Sequence, residues 1–291
     1  MNPVATIIPA GYYSADGRYW REAHVRPLTG EDHLFLTEEC AGLLPAQWVT
    51  EVLTRCITRL GPEEPVSREA VRSLTVGDRE ALLLHLRRLS LGNRLRCLLT
   101  CPSPECQEKL EIDANVADLL IPPYGDESAQ EHEFIYRQGE GAPTVVRFRL
   151  PTGADQEAAA VVAHTDVDAA ADLLLRQCVR SATSSDGSRI EKLPEMLGEH
   201  LSDRMAELDP QAEITLHLAC LVCGATFSTI FDTARYVIQE LEAEAQHLYR
   251  EVHLLAYHYH WSATEILQMS TERRRKFLRL LEEQLTQGAT S

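Results

Sequence analysis

Residues 4–26 alternate apolar and polar positions in the way that paired strands do. Asp16 and Gly17 form a turn signal, and residues 18–25 continue the alternation except at Trp20. This segment is therefore predicted to be a β-hairpin. The interruption at Trp20 indicates that its second strand is covered on both faces.

Two stretches with helical spacing of apolar residues follow the hairpin. Over residues 45–60 the apolar positions recur every three or four residues, and Gly61 ends the pattern. The second stretch begins at a capping residue, Thr75 or Asp78, and Gly92 fits the position just after a helix. We expect two amphipathic helices here, each with one apolar face toward the core.

A proline- and acid-rich segment, residues 121–133, separates these elements from a central region. The central pattern predicts a hairpin that turns around Gly139 to Gly141, helices that begin near Gly153 and Thr165, a surface loop over residues 181–189 and a short helix that ends at Asp209. A strand over residues 213–220 is predicted to follow.

From Asp232 onward the chain is predicted to be helical. Ser262 and Glu265 form a predicted capping box, with a hydrophobic staple between Trp261 and Ile266, and a last helix begins near Thr271. Residues 238–259 have an apolar seam along one side of the predicted helix. This seam either packs on the last two helices of the same chain or joins a partner helix, including that of a second copy. Its apolar residues recur over three heptads, at Ile238, Leu241, Ala245, Leu248, Val252, Leu255 and Tyr259.

Two distant segments each place a pair of cysteines between two strands. Residues 94–113 have a pair separated by four residues, and residues 213–232 have a pair separated by two. The four cysteines are Cys101, Cys106, Cys220 and Cys223. When the first cysteines of the two pairs are aligned, Cys97 falls opposite Leu216, so that Cys97 is interpreted as an apolar strand residue and not as a ligand.

Four thiolates would complete a closed tetrahedral zinc site, with the two short turns acting as the knuckles of a zinc ribbon. Such a Zn²⁺ would be structural, because no coordination position stays open for chemistry. Two disulfides or unrelated buried thiols are the alternatives. Cys40, Cys56 and Cys178 lie on apolar helical faces and are expected to be buried in the core.

Composition narrows the classes of function. The chain has 291 residues, a formal net charge of −16 and 44% hydrophobic residues, which is typical of one large or two modest globular domains. The acidic charge argues against non-specific binding to nucleic acid or anionic membranes. No apolar run reaches about 18 residues and no basic signal region is present, so we expect a cytoplasmic protein without a membrane span.

No other cluster in the sequence indicates catalysis. His258 and His260 point to different sides of a helix and are expected to be packed or exposed, not metal ligands. The basic run over residues 272–279 is compensated by acids of the same tail and is interpreted as a solvated helix face or a partner-binding patch. Neither a nucleophile elbow nor a phosphate loop stands out. We therefore expect a protein that is not an enzyme.

Several motifs together resemble one family. They are "GYYSADGRYWREAHVRPLTGEDHLFL", "LTVGDREALLLHLRRLSLGNRL", "RFRLPTGADQEAAA", "LDPQAEITLHLACLVCG" and "EVHLLAYHYHWSATEILQMSTERRRKFLRLL". The chain resembles cytosolic proteins encoded beside the tails of contractile phages and phage-tail-like contractile injection systems, a family similar to baseplate hub assembly chaperones. Members commonly carry a CPxCG-type knuckle. Here the first knuckle is longer and lacks the glycine, and the second keeps the glycine without the proline.

The resemblance implies a non-enzymatic component or assembly factor of a baseplate or hub, with other baseplate, hub or tail proteins as partners. The alternative is a zinc-ribbon adaptor for nucleic acid or another cytosolic complex, although the knuckle flanks have only Arg94, Arg96 and Lys109 against four acids. The predicted fold is α+β, with a zinc-ribbon-like β body, flanking helices, a central insertion and a helical tail. Its predicted parts are residues 1–120 with the first knuckle, 121–209 as the insertion, 210–232 with the second knuckle, and 233–291 as the tail.

Overall fold

The computed structural model describes residues 2–125, 130–137, 143–184, 188–190 and 194–289. Within these ranges the chain is α+β, and its strands form small antiparallel sheets of two or three strands. The strands are β1 Val4–Tyr13, β2 Tyr19–Val25, β3 Ile57–Leu60, β4 Arg94–Thr100, β5 Lys109–Asn115, β6 His132–Tyr136, β7 Thr144–Phe148, β8 Val179–Ser184, β9 Thr215–Ala219 and β10 Thr226–Ile230. The helices are α1 Gly30–Leu34, α2 Pro45–Cys56, α3 Arg68–Ser73, α4 Val76–Leu91, α5 Val116–Leu119, α6 Gly153–Ala163, α7 Val167–Cys178, α8 Glu195–Leu208, α9 Thr233–Tyr259, α10 Ala263–Leu267 and α11 Thr271–Ala289.

The first sheet has the strand order β1-β2-β3 and confirms the predicted hairpin. Val4 pairs with Val25 at one end of β1 and β2, and Tyr13 pairs with Tyr19 at the other. Between them the chain turns at Gly17, whose φ of +79° is a conformation that side chains with a Cβ rarely adopt.

The helix predicted over residues 45–60 ends earlier than its apolar spacing indicates, so that prediction is wrong for its last turn. α2 stops at Cys56, and Ile57–Leu60 form β3, which pairs with β2. The edge of β2 offers hydrogen bonds that replace those of the lost helical turn, and the β-branched Ile57 fits a strand well. Pairing with a distant segment therefore outweighs the local helical pattern.

α4 confirms both predicted ends but not the predicted amphipathic character. The Thr75 hydroxyl accepts a hydrogen bond from the Asp78 N–H, and the helix ends at Gly92, whose φ is +98°. Leu82, Leu83 and Leu84 are all buried, although consecutive helical residues point in different directions. The helix is covered on several sides because β1, α2 and α9 all pack on it.

The second sheet has the order β6-β7-β8 and packs on α8. The central hairpin strands are confirmed, while the turn predicted around Gly139 to Gly141 lies outside the described residues. The surface loop predicted over residues 181–189 is wrong at its start, because β8 continues to Ser184 and pairs with β7. Ala182 in β8 is buried against Val146, which a polar-looking stretch of sequence does not reveal.

The two halves of the chain repeat one pattern of elements. In each half a hairpin leads into the sequence Arg-x-x-Thr-Gly-x-Asp, at residues 26–32 and 149–155, and two helices then lead to a third strand of the same sheet. A further hairpin follows in each half, β4–β5 in the first and β9–β10 in the second. The fold is therefore built from two copies of one arrangement.

The repeated motif makes the same contacts in both copies. Arg26 Nη2 donates to Asp32 Oδ1 at 3.0 Å, and Arg149 Nη2 donates to Asp155 Oδ1 at 2.8 Å. The same carboxylates accept the N–H of the motif threonine at the helix start. Burial alone would raise the pKa of each carboxyl, but the guanidinium and the threonine N–H outweigh it and hold both pKa values below the ordinary value.

The helical tail packs back onto the first half. In the heptad seam Leu241, Leu248 and Leu255 are buried within the single chain, and the His33 imidazole contacts the carbonyl of Leu241 at 2.6 Å. The first core contains residues from Ile8 to Leu241. The seam is thus buried within the chain, at Leu241 against the first core and not only against the last two helices. Self-association and the division of the chain at residues 120, 209 and 232 stay predictions.

The start of α10 confirms the predicted capping box. The Ser262 hydroxyl accepts from the Glu265 N–H at 3.2 Å, and the Ser262 N–H donates to Glu265 Oε2 at 2.9 Å. Trp261 stacks on Tyr259 with ring centroids 4.7 Å apart and meets Phe277 of α11 edge-on. The aromatic contact ties the start of this short helix to both long helices of the tail.

Candidate metal centre

The two cysteine pairs lie at equivalent ends of two hairpins. Beyond the last pair of β4 and β5, the Cys101 N–H donates to the Glu108 carbonyl at 2.8 Å. Beyond β9 and β10, the Cys220 N–H donates to the Ala225 carbonyl at 2.9 Å. Each hairpin thus closes with a cysteine as the last residue before its turn, which agrees with the alignment inferred from the sequence.

A left-handed residue follows the second cysteine of each pair. Gly224 has a φ of +75°, and Gln107, which follows Cys106, has a φ of +47°. The first knuckle therefore makes the same backbone bend without the glycine that the resemblance led us to expect. A residue with a Cβ pays about 1–2 kcal/mol for this conformation.

The hairpins bring the four thiols together. All four Sγ atoms lie within 4.8 Å of one another. The Sγ atoms of Cys101 and Cys223 are 3.7 Å apart, and those of Cys106 and Cys220 are 3.8 Å apart. Both of these short distances join the first half of the chain to the second.

This geometry fits four thiolates around one zinc ion. Sulfurs about 2.3 Å from Zn²⁺ at the corners of a tetrahedron lie about 3.8 Å from each other. A disulfide needs a sulfur–sulfur distance of about 2.05 Å, and all four cysteines are free thiols. The cluster thus fits a zinc-ribbon-like site, and the two-disulfide alternative does not fit the structure.

The surroundings of the cluster favour the thiolate at Cys220, whereas the pKa values of the Cys101 and Cys106 thiols are raised. The backbone N–H groups of Cys223 and then Val222 lower the pKa of the Cys220 thiol to about 7. The thiolate is the form of cysteine that binds a metal. Cys101 and Cys220 are buried against Leu110, whereas Leu221 at the tip of the second knuckle is 96% exposed.

A comparison with protein families places the site in context. The family described as T4 bacteriophage base plate protein matches residues 19–236, which is most of the chain and includes all four cysteines. The chain belongs to the T4 bacteriophage base plate protein family. Searches of curated proteins and of solved structures give no match to this base plate family protein.

The remaining cysteines of this base plate family protein lie away from the cluster. Cys40, Cys56 and Cys178 are buried in the hydrophobic cores, as expected. Cys97 is half-buried in β4 opposite Ile112 and is not among the four clustered thiols, which agrees with its interpretation as a strand residue.

No second metal cluster is found in the part of the base plate family chain that the structure describes. There the four cysteines form the one group of His, Cys, Asp or Glu side chains close enough to share an ion. His258 is half-buried and His260 is exposed, which fits the prediction that these histidines are packed or exposed. Within the described residues, no helix is both long and apolar enough to cross a membrane.

The basic run of the tail is not a wholly solvated face, so that expectation is wrong at one position. Arg274 is 1% exposed, and its guanidinium pairs with Glu251 at 2.8 Å and donates to the Met269 carbonyl. Compensation by acids of the same tail predicts a solvated face, but Arg274 is buried because Glu251 on another helix pairs with it, and arginine is rarely buried without a partner.

Proposed function

We propose that the protein is a non-enzymatic component or assembly factor of the baseplate or hub of a contractile phage tail or a related contractile injection system. The observation that supports this proposal is the family match over residues 19–236, which includes both knuckles and both three-stranded sheets except β1. Its partners are then other baseplate, hub or tail proteins, and it acts in the cytoplasm, where such particles are built.

In this proposal the four cysteines hold a structural Zn²⁺. Four thiolates leave no coordination position open, so the ion would stabilise the fold and would not act on a substrate. The knuckle core is small, with Leu110, Ile112 and Phe227 as its apolar members beside the cysteines. A metal is therefore a larger contributor to local stability here than hydrophobic burial is.

The helical tail offers a surface for a partner protein. Tyr249, His253 and Tyr257 follow one another at intervals of four residues along α9 and are exposed. The rings of His253 and Tyr257 stack with centroids 6.4 Å apart, and Tyr257 is 69% exposed. Aromatic residues are enriched in the buried centres of protein interfaces, and we infer that this face of α9 contacts another tail protein.

The proposed role is tested by deletion of the gene from a cluster that encodes a contractile particle. Electron microscopy should show tubes or sheaths without complete baseplates, and the wild-type gene should restore them. Mass spectrometry of purified particles then distinguishes a retained component from an assembly factor. Particles that assemble normally without the gene would refute the proposal.

The surface on α9 is tested by substitution and not by truncation. Removal of residues 233–291 would open the first core, because Ala234, Val237 and Leu241 are part of it. His253→Ala combined with Tyr257→Ala should reduce complementation while the melting temperature stays unchanged. Arg250→Ala, which is exposed on the same helix, is the matched control. Full complementation by the double variant would exclude this face as a partner contact.

A further inference from the structure

The strand β6 lies at one edge of the second sheet. In the ranges that the structure describes, β6 pairs with β7 alone. The opposite edge of this sheet is closed, because the Ile190 N–H donates to the Ala182 carbonyl at 2.8 Å beside β8. The backbone of β6 has no hydrogen bond to any described residue outside its pairing with β7. One edge of the sheet is therefore open to a further strand.

The first half of the chain protects the strand that occupies the same place in its own sheet. The Asp78 carboxylate accepts the N–H groups of Ala10 and Gly11 in β1 at 2.7 and 3.0 Å, and the Tyr124 N–H donates to the Pro9 carbonyl at 3.0 Å. In the described part of the second half, no side chain or loop makes such a bond to β6. Natural proteins cover or blunt their sheet edges, so the exception at β6 needs an explanation.

The sequence of β6 also lacks the features that keep edge strands apart. It contains neither lysine nor proline, and its register with β7 is unbroken from His132 to Tyr136. Phe134 and Tyr136 pack against the second core, whereas Ile135 on the other face is 56% exposed. A regular edge with an exposed apolar residue is a template for pairing with another chain.

The segment around β6 is complementary to a second copy of itself. Two copies that run antiparallel about Phe134 place the residues that sum to the same number opposite each other, on the same face of the sheet. The opposed pairs are Glu131 with Arg137, His132 with Tyr136, Glu133 with Ile135, and Phe134 with its own copy. Opposite charges meet at both ends, aromatic rings meet within the strand, and no like charges face each other.

The two charged residues at the ends of this segment are available for such contacts. Arg137 is exposed and forms no ion pair with any residue that the structure describes. Glu131 is also exposed, and its contact with Arg180 is 3.9 Å long. An exposed pair at that distance contributes little, so Glu131 loses little when it turns to another cation.

We propose that the protein forms a dimer in which β6 of one copy pairs antiparallel with β6 of the other. The two three-stranded sheets then join into one sheet of six strands, with the twofold axis at Phe134. Such an interface is isologous, because the same surface of each copy faces its counterpart. Main-chain hydrogen bonds give affinity, and the opposed side chains fix the register. This surface is separate from the heptad seam, and the proposal does not depend on the proposed function.

The first test measures the mass of the full-length protein by sedimentation equilibrium over a range of concentrations. The mass should rise with concentration from the 32.6 kDa of one chain towards twice that value. Ile135→Lys places a charge on the edge and should weaken the dimer by about tenfold or more. Ile230→Lys is the matched control, since Ile230 is an equally exposed isoleucine in β10, and it should dimerise as the parent does. At concentrations below those of dimer formation, both variants should melt as the parent does.

The second test reverses the charges at the ends of the segment. In Glu131→Arg two arginines oppose each other at each end of the interface, and in Arg137→Glu two glutamates do. Each variant alone should therefore dimerise about tenfold or more weakly than the parent. An equimolar mixture of the two variants should dimerise as the parent does, because every opposed pair in the mixed dimer again joins opposite charges. A variant that was merely unstable could not be restored by mixing.

Several results would overturn the proposal. A mass of one chain at every concentration would do so, including the case in which β6 instead receives a strand of another protein. So would a dimer that Ile135→Lys leaves intact or that Ile230→Lys weakens equally, and so would charge variants that dimerise normally or a mixture that stays monomeric. Normal particle assembly without the gene would refute the proposed function and would leave this interface unaffected.

Discussion

Replacement of Cys223 by serine removes one ligand of the proposed zinc site with little other disturbance. Cys223 is exposed, so the smaller side chain leaves no cavity in a core. Its Sγ lies 3.7 Å from that of Cys101, and the loss of one thiolate leaves three ligands for a structural ion that requires four. We expect purified Cys223→Ser protein to contain much less zinc than the parent, which should contain one zinc per chain.

The size of the effect follows from the length of chain that the metal closes. Cys106 and Cys220 are 114 residues apart, and closure of a loop of that length removes about 5 kcal/mol of entropy from the unfolded chain. For 291 residues the unfolding entropy is about 0.6 kcal/mol per kelvin, so the melting temperature should fall by about 8 °C. Leu95 and Ile214 also join the two hairpins in one hydrophobic cluster, so the hairpins should stay together in the folded protein after the loss of the metal.

The measurement combines calorimetry with elemental analysis of the same samples. Cys97→Ser is the matched control, since it makes the same chemical change in the neighbouring strand but outside the cluster, and it should keep its zinc. A chelator should lower the melting temperature of the parent to that of Cys223→Ser. The reasoning fails if the parent contains no zinc, or if Cys223→Ser melts and binds metal as the parent does.

Three further substitutions test particular contacts by urea unfolding. Gly77→Ala should cost about 2–3 kcal/mol, because the new Cβ would lie 1.9 Å from the buried Asp209 Oδ1. Gly42→Ala, whose Cβ would have no atom within 4 Å, should be neutral. Equal stabilities of the two variants would contradict this. Gln107→Gly should stabilise the protein by about 0.5–1 kcal/mol, because glycine adopts the left-handed conformation of this residue without the strain that a Cβ causes. A loss of stability would show that the side chain matters more than the backbone. Asp155→Asn should cost about 2 kcal/mol at pH 7. Folding lowers the pKa of Asp155, so the contribution of its carboxylate is present above the unfolded pKa and is lost as the pH falls below about 4. The difference from the parent should therefore disappear in acid, and a constant difference at all pH values would refute this.

Structural features that depend only on residues nearby in the chain were predictable from the sequence. Thr75 and Gly92 mark the two ends of α4, because a hydroxyl cap and a left-handed glycine each act on the helix end where they lie. The capping box at Ser262 is predictable for the same reason. The four cysteines of the cluster could be chosen among eight because the strands around each pair have the same alternation, which places Cys97 on a strand and Cys101 at a turn.

Elements that depend on a distant partner were not predictable. Residues 57–60 continue a helical spacing, and only the open edge of β2, some thirty residues earlier in the chain, makes them a strand. The burial of α4 on several sides depends on β1 and α9, which close around it from the two ends of the chain. The burial of Arg274 likewise depends on Glu251 in another helix.

The repeat was missed although its signal is present in the sequence. Arg-x-x-Thr-Gly-x-Asp occurs at residues 26–32 and again at residues 149–155, and a cysteine ends the second helix after each motif, at Cys56 and Cys178. The Arg26 N–H donates to the Cys56 carbonyl as that of Arg149 does to the Cys178 carbonyl. The spacing from the motif arginine to this cysteine is 30 residues in the first half and 29 in the second, so the repeat is detectable from the letters alone.

The duplicated architecture makes the chain, in thermodynamic terms, a dimer whose two subunits are joined in advance. Each half supplies two of the four clustered thiols, as two copies of a smaller protein would across a twofold axis. Separate copies would assemble only above a threshold concentration, whereas a covalent link holds the second half at an effective concentration on the order of millimolar. The linked chain should therefore melt at a temperature independent of its dilution. Two fragments separated in the segment between β5 and β6 should need both mass action and zinc to find each other again.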